Sequence, residues 1–265
     1  MSQEKAFRNQ DARAAWNEGA RAWEEFVESG ADYYRHEVHG PALLAVCEPV
    51  AGLDVLDLGC GQGFFSRQLA RRGAQVVAID IAEDLLVFAR KHEEQEPLGI
   101  TYHNMNAGEV NQHWQEDSFD WVTACMALHD MADTEAILRS AFHVLKASGR
   151  MAFSVPHPCT DAPFREWERD EPGEKGALKI DRYFESGPTV CRWRMQRLTY
   201  HWDTPYWRYT LTEWTAMIAK AGFLIRRLHE PRPTLEQVQR NPNLDHCFRL
   251  PSFLIFDLVK LGSHH

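Results

Sequence analysis

No apolar run in these 265 residues approaches the roughly 20 that a helix needs to cross a bilayer, so a spanning helix is excluded. The opening MSQEKAFRNQDARAAW is polar and lacks the apolar stretch of a secretory signal. Basic charge is also short: 29 Lys and Arg face 38 Asp and Glu, a net charge of -9. That balance argues against a broad nucleic-acid footprint and leaves a small molecule as the expected partner, with no membrane role. The six cysteines (Cys47, Cys60, Cys125, Cys159, Cys191, Cys247) form no CxxC pair and read as reduced core or site residues of a cytoplasmic protein. Neither the HEVH at 36–39 nor His157 with Cys159 gains a third or fourth ligand at metal spacing, so no metal is expected. Internal repeats and low-complexity tracts are missing too, and the closing Gly262-Ser263-His264-His265 looks like an expression tag.

What is present is alternation. Strand-like runs, LDVLDL, QVVAID, ITYHN, FDWVTAC, RMAFSVP, FLIRRLHE and FLIFDLV, are separated by helix-like stretches near 64–72, 83–93, 134–146 and 211–221. Gly73 and Gly149 sit where helices should stop, and Thr210 with Glu213 has the spacing of a capping box. Such βαβ units predict an α/β fold: a doubly wound, mostly parallel sheet covered by helices on both faces. Before it, Trp16, Ala20, Trp23 and Val27 lie at helical spacing, with Asp11 as cap and Gly30 as stop, and GPALLAVCEPV reads as a second helix with Pro41 in its first turn. The expected organisation is an N-terminal helical cover at 1–52, a ligand-binding core at 53–156, an insert at 157–209 and a C-terminal completion of the sheet at 210–261. The insert is too long for a plain connection. In it Cys191, Trp193 and Met195 alternate with Arg192 and Arg194, and Leu198, Tyr200 and Trp202 alternate likewise, which predicts paired strands. With four of the nine tryptophans there, it reads either as a satellite core or, more in keeping with where long insertions go, as a substrate lid.

Gly59-Cys60-Gly61-Gln62-Gly63 follows the first strand and opens a helix, so backbone can approach a ligand at the carboxyl end of the sheet. The dinucleotide pattern G-x-G-x-x-G would need glycine where Phe64 stands. Asp57, two residues before Gly59, would repel a pyrophosphate, whereas a ligand bearing an ammonium and a sulfonium would be attracted. S-adenosyl-L-methionine carries both. The alternative for Asp57 is a carboxylate that only caps the loop. Asp80, ending the second strand, suits a ribose diol, because a carboxylate accepts two hydroxyl hydrogen bonds.

The segments VLDLGCGQG, AID, ITYHNMNA, FDWVTACMALHD and VLKASGRMAFSVPHP resemble, in order and spacing, the class I S-adenosylmethionine-dependent methyltransferases, in particular the small-molecule branch that includes quinone-biosynthesis enzymes. The likeness covers 53–156 and returns weakly at LTEWTAMIAKAGFLI. It implies a Rossmann-like seven-stranded sheet with an antiparallel last strand and a methyl-transferring enzyme; the aromatic side chains of the insert motivate a small, aromatic or heterocyclic metabolite as substrate, with O, N and C all open as the acceptor atom. By position the likeness implies Gly59, Cys60 and Gly61 along the methionine part of the cofactor, Ile81 on the adenine, Asn106 and Ala107 beside the adenine amino group, and Met126 touching the cofactor through its backbone. The [DN]-P-P-[YF] signature of the nucleic-acid amino-methylating branch is replaced by CMALHD.

Transfer to a protonated nucleophile can call for a base. His129, after the fourth strand beside Asp130, and His157, ending the fifth, are the candidates for base or substrate orienter; related proteins often carry a histidine near His129 that only braces the cofactor or loop. Tyr33, Tyr34 and Arg35 either reach the cofactor carboxylate, close the pocket or form a solvated turn, and REWERDEPGEKG reads as a solvated loop. The rival readings are a nicotinamide-dependent oxidoreductase, which leaves Asp57 and Phe64 unexplained, and a catalytically silent cofactor-binding regulatory protein.

Overall fold

Each strand-like run becomes a strand of one sheet, and the helix-like stretches become the crossovers between them. The structure, a computed structural model, describes residues 7–169, 175–194 and 200–261. Helices α1 (Asn9–Glu28), α2 (Tyr33–Glu37) and α3 (His39–Cys47) lead into β1 (Asp54–Leu58), α4 (Phe64–Ala70), β2 (Gln75–Asp80), α5 (Glu83–Gln95) and β3 (Thr101–Asn104). Then come α6 (Val110–His113), β4 (Phe119–Cys125), α7 (Thr134–Val144) and β5 (Leu145–Pro156). The insert holds β6 (Phe164–Trp167), β7 (Leu178–Asp181), β8 (Gly187–Arg194) and β9 (His201–Arg208). The chain ends in α8 (Leu211–Lys220), β10 (Leu224–His229), α9 (Leu235–Arg240), α10 (Asp245–Arg249) and β11 (Phe253–Val259).

Seven strands pair in the order β10-β11-β5-β4-β1-β2-β3, parallel from β5 through β3, with β11 antiparallel to both β5 and β10. This is the expected doubly wound sheet with its antiparallel last strand. The central strands are apolar because both faces are covered: Leu56, Leu58, Phe153 and Phe256 pack under α7 and α8 through Ile137, Leu138 and Trp214. On the other face Val55, Trp121 and Ile255 meet Leu43, Phe65 and Leu86 from α3, α4 and α5. Each such fully buried side chain contributes roughly 1.5–3 kcal/mol. Strand order reverses at β1, whose neighbours are β2 and β4, so the ends of these strands part and leave a crevice there. Among the described residues no helix is long and apolar enough to cross a membrane.

Several local expectations need correction. Asp11 is not the cap of α1: Arg8 is, and the Asp11 carboxylate accepts the Arg8 backbone N–H at 2.8 Å from the third helical position. Gly149 ends no helix; α7 stops at Val144 and Gly149 lies inside β5, while Ser148 takes the left-handed conformation. Tyr33, Tyr34 and Arg35 form α2 rather than a solvated turn, and Arg35 is buried. The charged run at 165–176 is partly strand, since Arg165 to Trp167 pair with β7; its residues 170–174 lie outside the described residues. The HEVH histidines serve separate ends: His36 Nε2 bonds the Val27 carbonyl oxygen at 2.9 Å, and His39 Nδ1 lies 3.8 Å from Cys125 Sγ.

In the insert, the alternation of Cys191 and Trp193 with Arg192 and Arg194 does produce a hairpin, β8 with β9, in which Trp193 pairs with Trp202. Met195, Gln196 and Leu198, which follow β8 in sequence, lie outside the described residues. The rings of Trp193 and Trp202 stack at 5.6 Å and 15° between planes. Trp23 from α1 meets Trp193 edge-on at 5.2 Å, so the leading helix and the insert hold each other.

Candidate functional site

The glycine loop begins where β1 stops. Gly59, Gly61 and Gly63 all have positive φ, at 66°, 58° and 84°. A Cβ on Gly59 would sit 2.4 Å from Met131 Cε and 2.7 Å from Ala127 Cβ. Gly59→Ala therefore carries both a steric conflict and backbone strain, and urea unfolding should show a loss of about 1–3 kcal/mol; an unchanged midpoint would refute this reading of the loop.

Two acids anchor that loop. Asp57, 1% exposed, accepts Ser66 Oγ at 2.6 Å and Thr123 Oγ1 at 2.8 Å. Asp80 accepts the backbone N–H of Gly61 and of Ala82, each at 2.8 Å, which ties the end of β2 to the loop. Burial pushes both carboxyls up to about 6, against these hydrogen bonds, which hold them down. Each carboxylate keeps lone pairs beyond those bonds.

These residues face a cleft of about 840 Å³, counted to its open mouth. Asp57, Gly59, Cys60, Gly61, Asp80 and Ile81 line it, and so do Asn106, Ala107 and Met126. Asn106 is partly committed: Oδ1 accepts from Gly108 N at 3.0 Å and Nδ2 donates to Glu109 at 3.0 Å. The opposite wall comes from the N-terminal segment expected as a cover, with Arg35 one of the residues expected to close the pocket, though Asn9, Ala12, Trp16 and Trp23 were not named as lining it. Asn9, Ala12, Trp16 and Trp23 of α1 and Arg35 of α2 close over the glycine loop. Arg35, 8% exposed, is held by Asp32 at 3.0 Å; burial is the largest influence and opposes its charge, but Asp32, Cys125 and Asp57 together keep the guanidinium above its ordinary range. The helical spacing of Trp16 and Trp23 was visible in the sequence, but nothing there showed where that face would dock, and Arg35 carried no motif.

A second cleft, about 1440 Å³ to its mouth, opens between the ends of β4 and β5 and the hairpins of the insert. Trp167, Cys191, Trp193 and Tyr206 come from the insert. Met126 and Asp130 line both clefts. Met126 has φ 53°, an uncommon conformation for a residue with a side chain, secured by its N–H bonding Ser154 Oγ at 3.0 Å.

Of the two histidines, only His129 faces a cleft, the second one. Its Nδ1 is buried without a partner among the described residues, its Nε2 lies 3.7 Å from Asp130, and its ring packs 5.2 Å from Tyr206. Burial, reinforced by the positive charge of Arg35, pushes it down to about 3, so the ring is neutral. Burial also raises Asp130 well above the usual carboxylate range, and its Oδ1 has no partner among the described residues. His157 lines neither cleft: Nδ1 accepts Cys159 N–H at 3.2 Å and Nε2 pairs with Glu230 at 3.1 Å, so the geometry casts it as a brace for the turn after β5.

Residues 49–200 match a family described as a methyltransferase domain. The chain is similar to the ubiquinone biosynthesis O-methyltransferase of Xanthomonas euvesicatoria, 38% identical over 106 residues, 40% of this chain and 44% of that protein. It is likewise similar to the Pseudomonas fluorescens SBW25 protein of the same name, 34% identical over 40% of this chain and 45% of the relative. The matched length is thus under half of either relative. Among solved structures, an S-adenosylmethionine-dependent methyltransferase from Mesorhizobium loti is 30% identical with a TM-score of 0.69, over 83% of this chain and 96% of the other.

Proposed function

Since the chain belongs to the S-adenosylmethionine-dependent methyltransferases, carrying their domain over more than half its length, we propose that it transfers a methyl group to an oxygen of a small aromatic or heterocyclic metabolite. The observation that carries this reading is the meeting of two clefts at Met126 and Asp130, one built on the glycine loop and the other walled by aromatic side chains. In this reading residues 53–156 form the cofactor-binding core and 157–209 the substrate wall.

The first cleft fits S-adenosylmethionine: two buried acids face it, and its loop leaves no room for a Cβ at Gly59. Asp57 and Arg35 would hold the ammonium and carboxylate of the methionine moiety, Asp80 the ribose, and Ile81, Asn106 and Ala107 the adenine end. When bound, the cofactor supplies a methyl group activated by its sulfonium. The protein's part is alignment: α1 and the insert exclude water, Met126 shapes the passage between the clefts, and His129 with Asp130 offers neutral hydrogen-bonding groups to the substrate. An oxygen acceptor is favoured by the two relatives named as O-methyltransferases.

Filling the second cleft tests the reading. Cys191→Phe should leave S-adenosylhomocysteine affinity within a few fold by calorimetry while lowering transfer of labelled methyl to a panel of phenols at least about tenfold. Undiminished transfer would sink the assignment of the second cleft to substrate.

A further inference from the structure

The second cleft reverses the charge of the protein that contains it. The chain as a whole carries -9, yet Arg165, Lys175, Arg192 and Arg208 all line this cleft. The ionisable acids facing them are few: among the described lining residues only Asp130 and Asp161 carry carboxyls, and burial raises both. Asp161 is shared by two of the cations, Arg165 at 3.3 Å and Arg208 at 3.6 Å, and also accepts Tyr206 Oη at 2.5 Å. Arg208 Nε is buried without a hydrogen-bond partner among the described residues. Among the described residues Arg192 pairs with no acid, and the Lys175 ammonium meets His246 Nδ1 at 3.3 Å and the Trp167 ring face at 5.3 Å, with no carboxylate among its partners. Burial lowers His246 to about 4, with Lys175 adding to the effect, so it gives Lys175 a neutral acceptor rather than a counter-charge.

Cations gathered on the wall of a cavity focus a positive potential into it and draw in anions. Guanidinium groups bind an oxyanion best, since their planar fork matches its two oxygens. Trp167, Trp193 and Tyr206 in the same cleft provide faces for a ring. Resting on the reading of this cleft as the substrate site, we infer that the substrate is an aromatic acid, its carboxylate held by Arg192, Arg208 and Lys175 on the insert. That leaves the opposite end of the ring for the passage at Met126 and Asp130. The insert would then select substrates by charge as well as cover them.

The test uses the full chain saturated with S-adenosylhomocysteine and two probes of nearly equal shape, 1-naphthoate and the neutral 1-naphthamide, compared by calorimetry. The acid should bind at least about tenfold more tightly. Arg192→Gln with Lys175→Gln should cut that preference at least about threefold. Arg194→Gln, on the same strand but paired with Asp203 at 2.9 Å and outside the cleft, should leave it unchanged. Equal binding of acid and amide, or a preference that survives the double variant intact, would overturn the inference. If S-adenosylhomocysteine fails to bind while the acid is still preferred and the preference falls in the double variant, the methyl-transfer reading is lost and the acid site stands.

Discussion

Wild-type protein titrated with S-adenosylhomocysteine should bind roughly ten- to a hundredfold more weakly at pH 5 than at pH 7. The sign follows from Asp57 and Asp80, both raised to about 6 by burial. Below that pH the empty cleft holds their protons. A ligand ammonium at Asp57 and ribose hydroxyls at Asp80 favour the ionised carboxylates, so binding must release those protons, at a cost that grows as pH falls. Above about 7 both groups are already ionised and affinity should level off. Asp80→Ala should weaken binding by about 1–3 kcal/mol at pH 7, the loss of charge-assisted hydrogen bonds. It should also remove about half of the pH dependence, because only Asp57 remains to titrate. An affinity constant from pH 5 to 7 would contradict the placement of both acids against the ligand. Tight NADH binding with no response to S-adenosylhomocysteine would remove the cofactor assignment itself.

The second large effect concerns His129. A base with an ordinary histidine pKa would give a rate rising through roughly pH 6–7. The buried ring, held down to about 3, makes a poor resting place for a proton. With cofactor saturating, kcat should therefore show no histidine step between pH 5.5 and 8. The unpartnered Nδ1 still matters, since losing one well-placed hydrogen bond costs about 1–3 kcal/mol. His129→Ala should accordingly lower kcat/KM about tenfold or more, and His129→Asn should recover most of it by keeping a hydrogen-bonding group. A step near pH 6.5 that disappears in the Asn variant would restore the base role and refute the orienting one.

How far the chain could be read in advance depended on whether the signal was local. The apolar runs of β1, β2, β4 and β11 announced a doubly covered sheet because their burial on both faces leaves few polar positions, and the glycines with Asp57 marked its switch point within a few residues. The capping box of Thr210 and Glu213 was equally local and is present, with the Thr210 hydroxyl accepting Glu213 N–H at 3.2 Å. Gly149 misled because the left-handed turn there fell to Ser148, which has a side chain. His129 and His157 are each a histidine just past a strand. What separates them is that Glu230, 73 residues further on, reaches the second, while no described residue bonds Nδ1 of the first. Arg35 becomes a site residue only when α2 docks beside Cys125, a proximity set by tertiary packing across 90 residues.

The stacked tryptophans of the insert have one more consequence. Trp193 and Trp202 touch Trp16 and Trp23, with ring centroids between 5.2 and 6.4 Å, and Trp16 and Trp23 in turn line the first cleft. Four indoles this close share their excitation, so light absorbed by one is emitted from whichever lies lowest in energy. A molecule entering the cleft strips water from two members of that set, and the emission of all four answers. Of the other five tryptophans, Trp167 lines the second cleft, and Trp114, Trp121, Trp207 and Trp214 line neither. The protein thus carries its own optical gauge of occupancy, readable without a label.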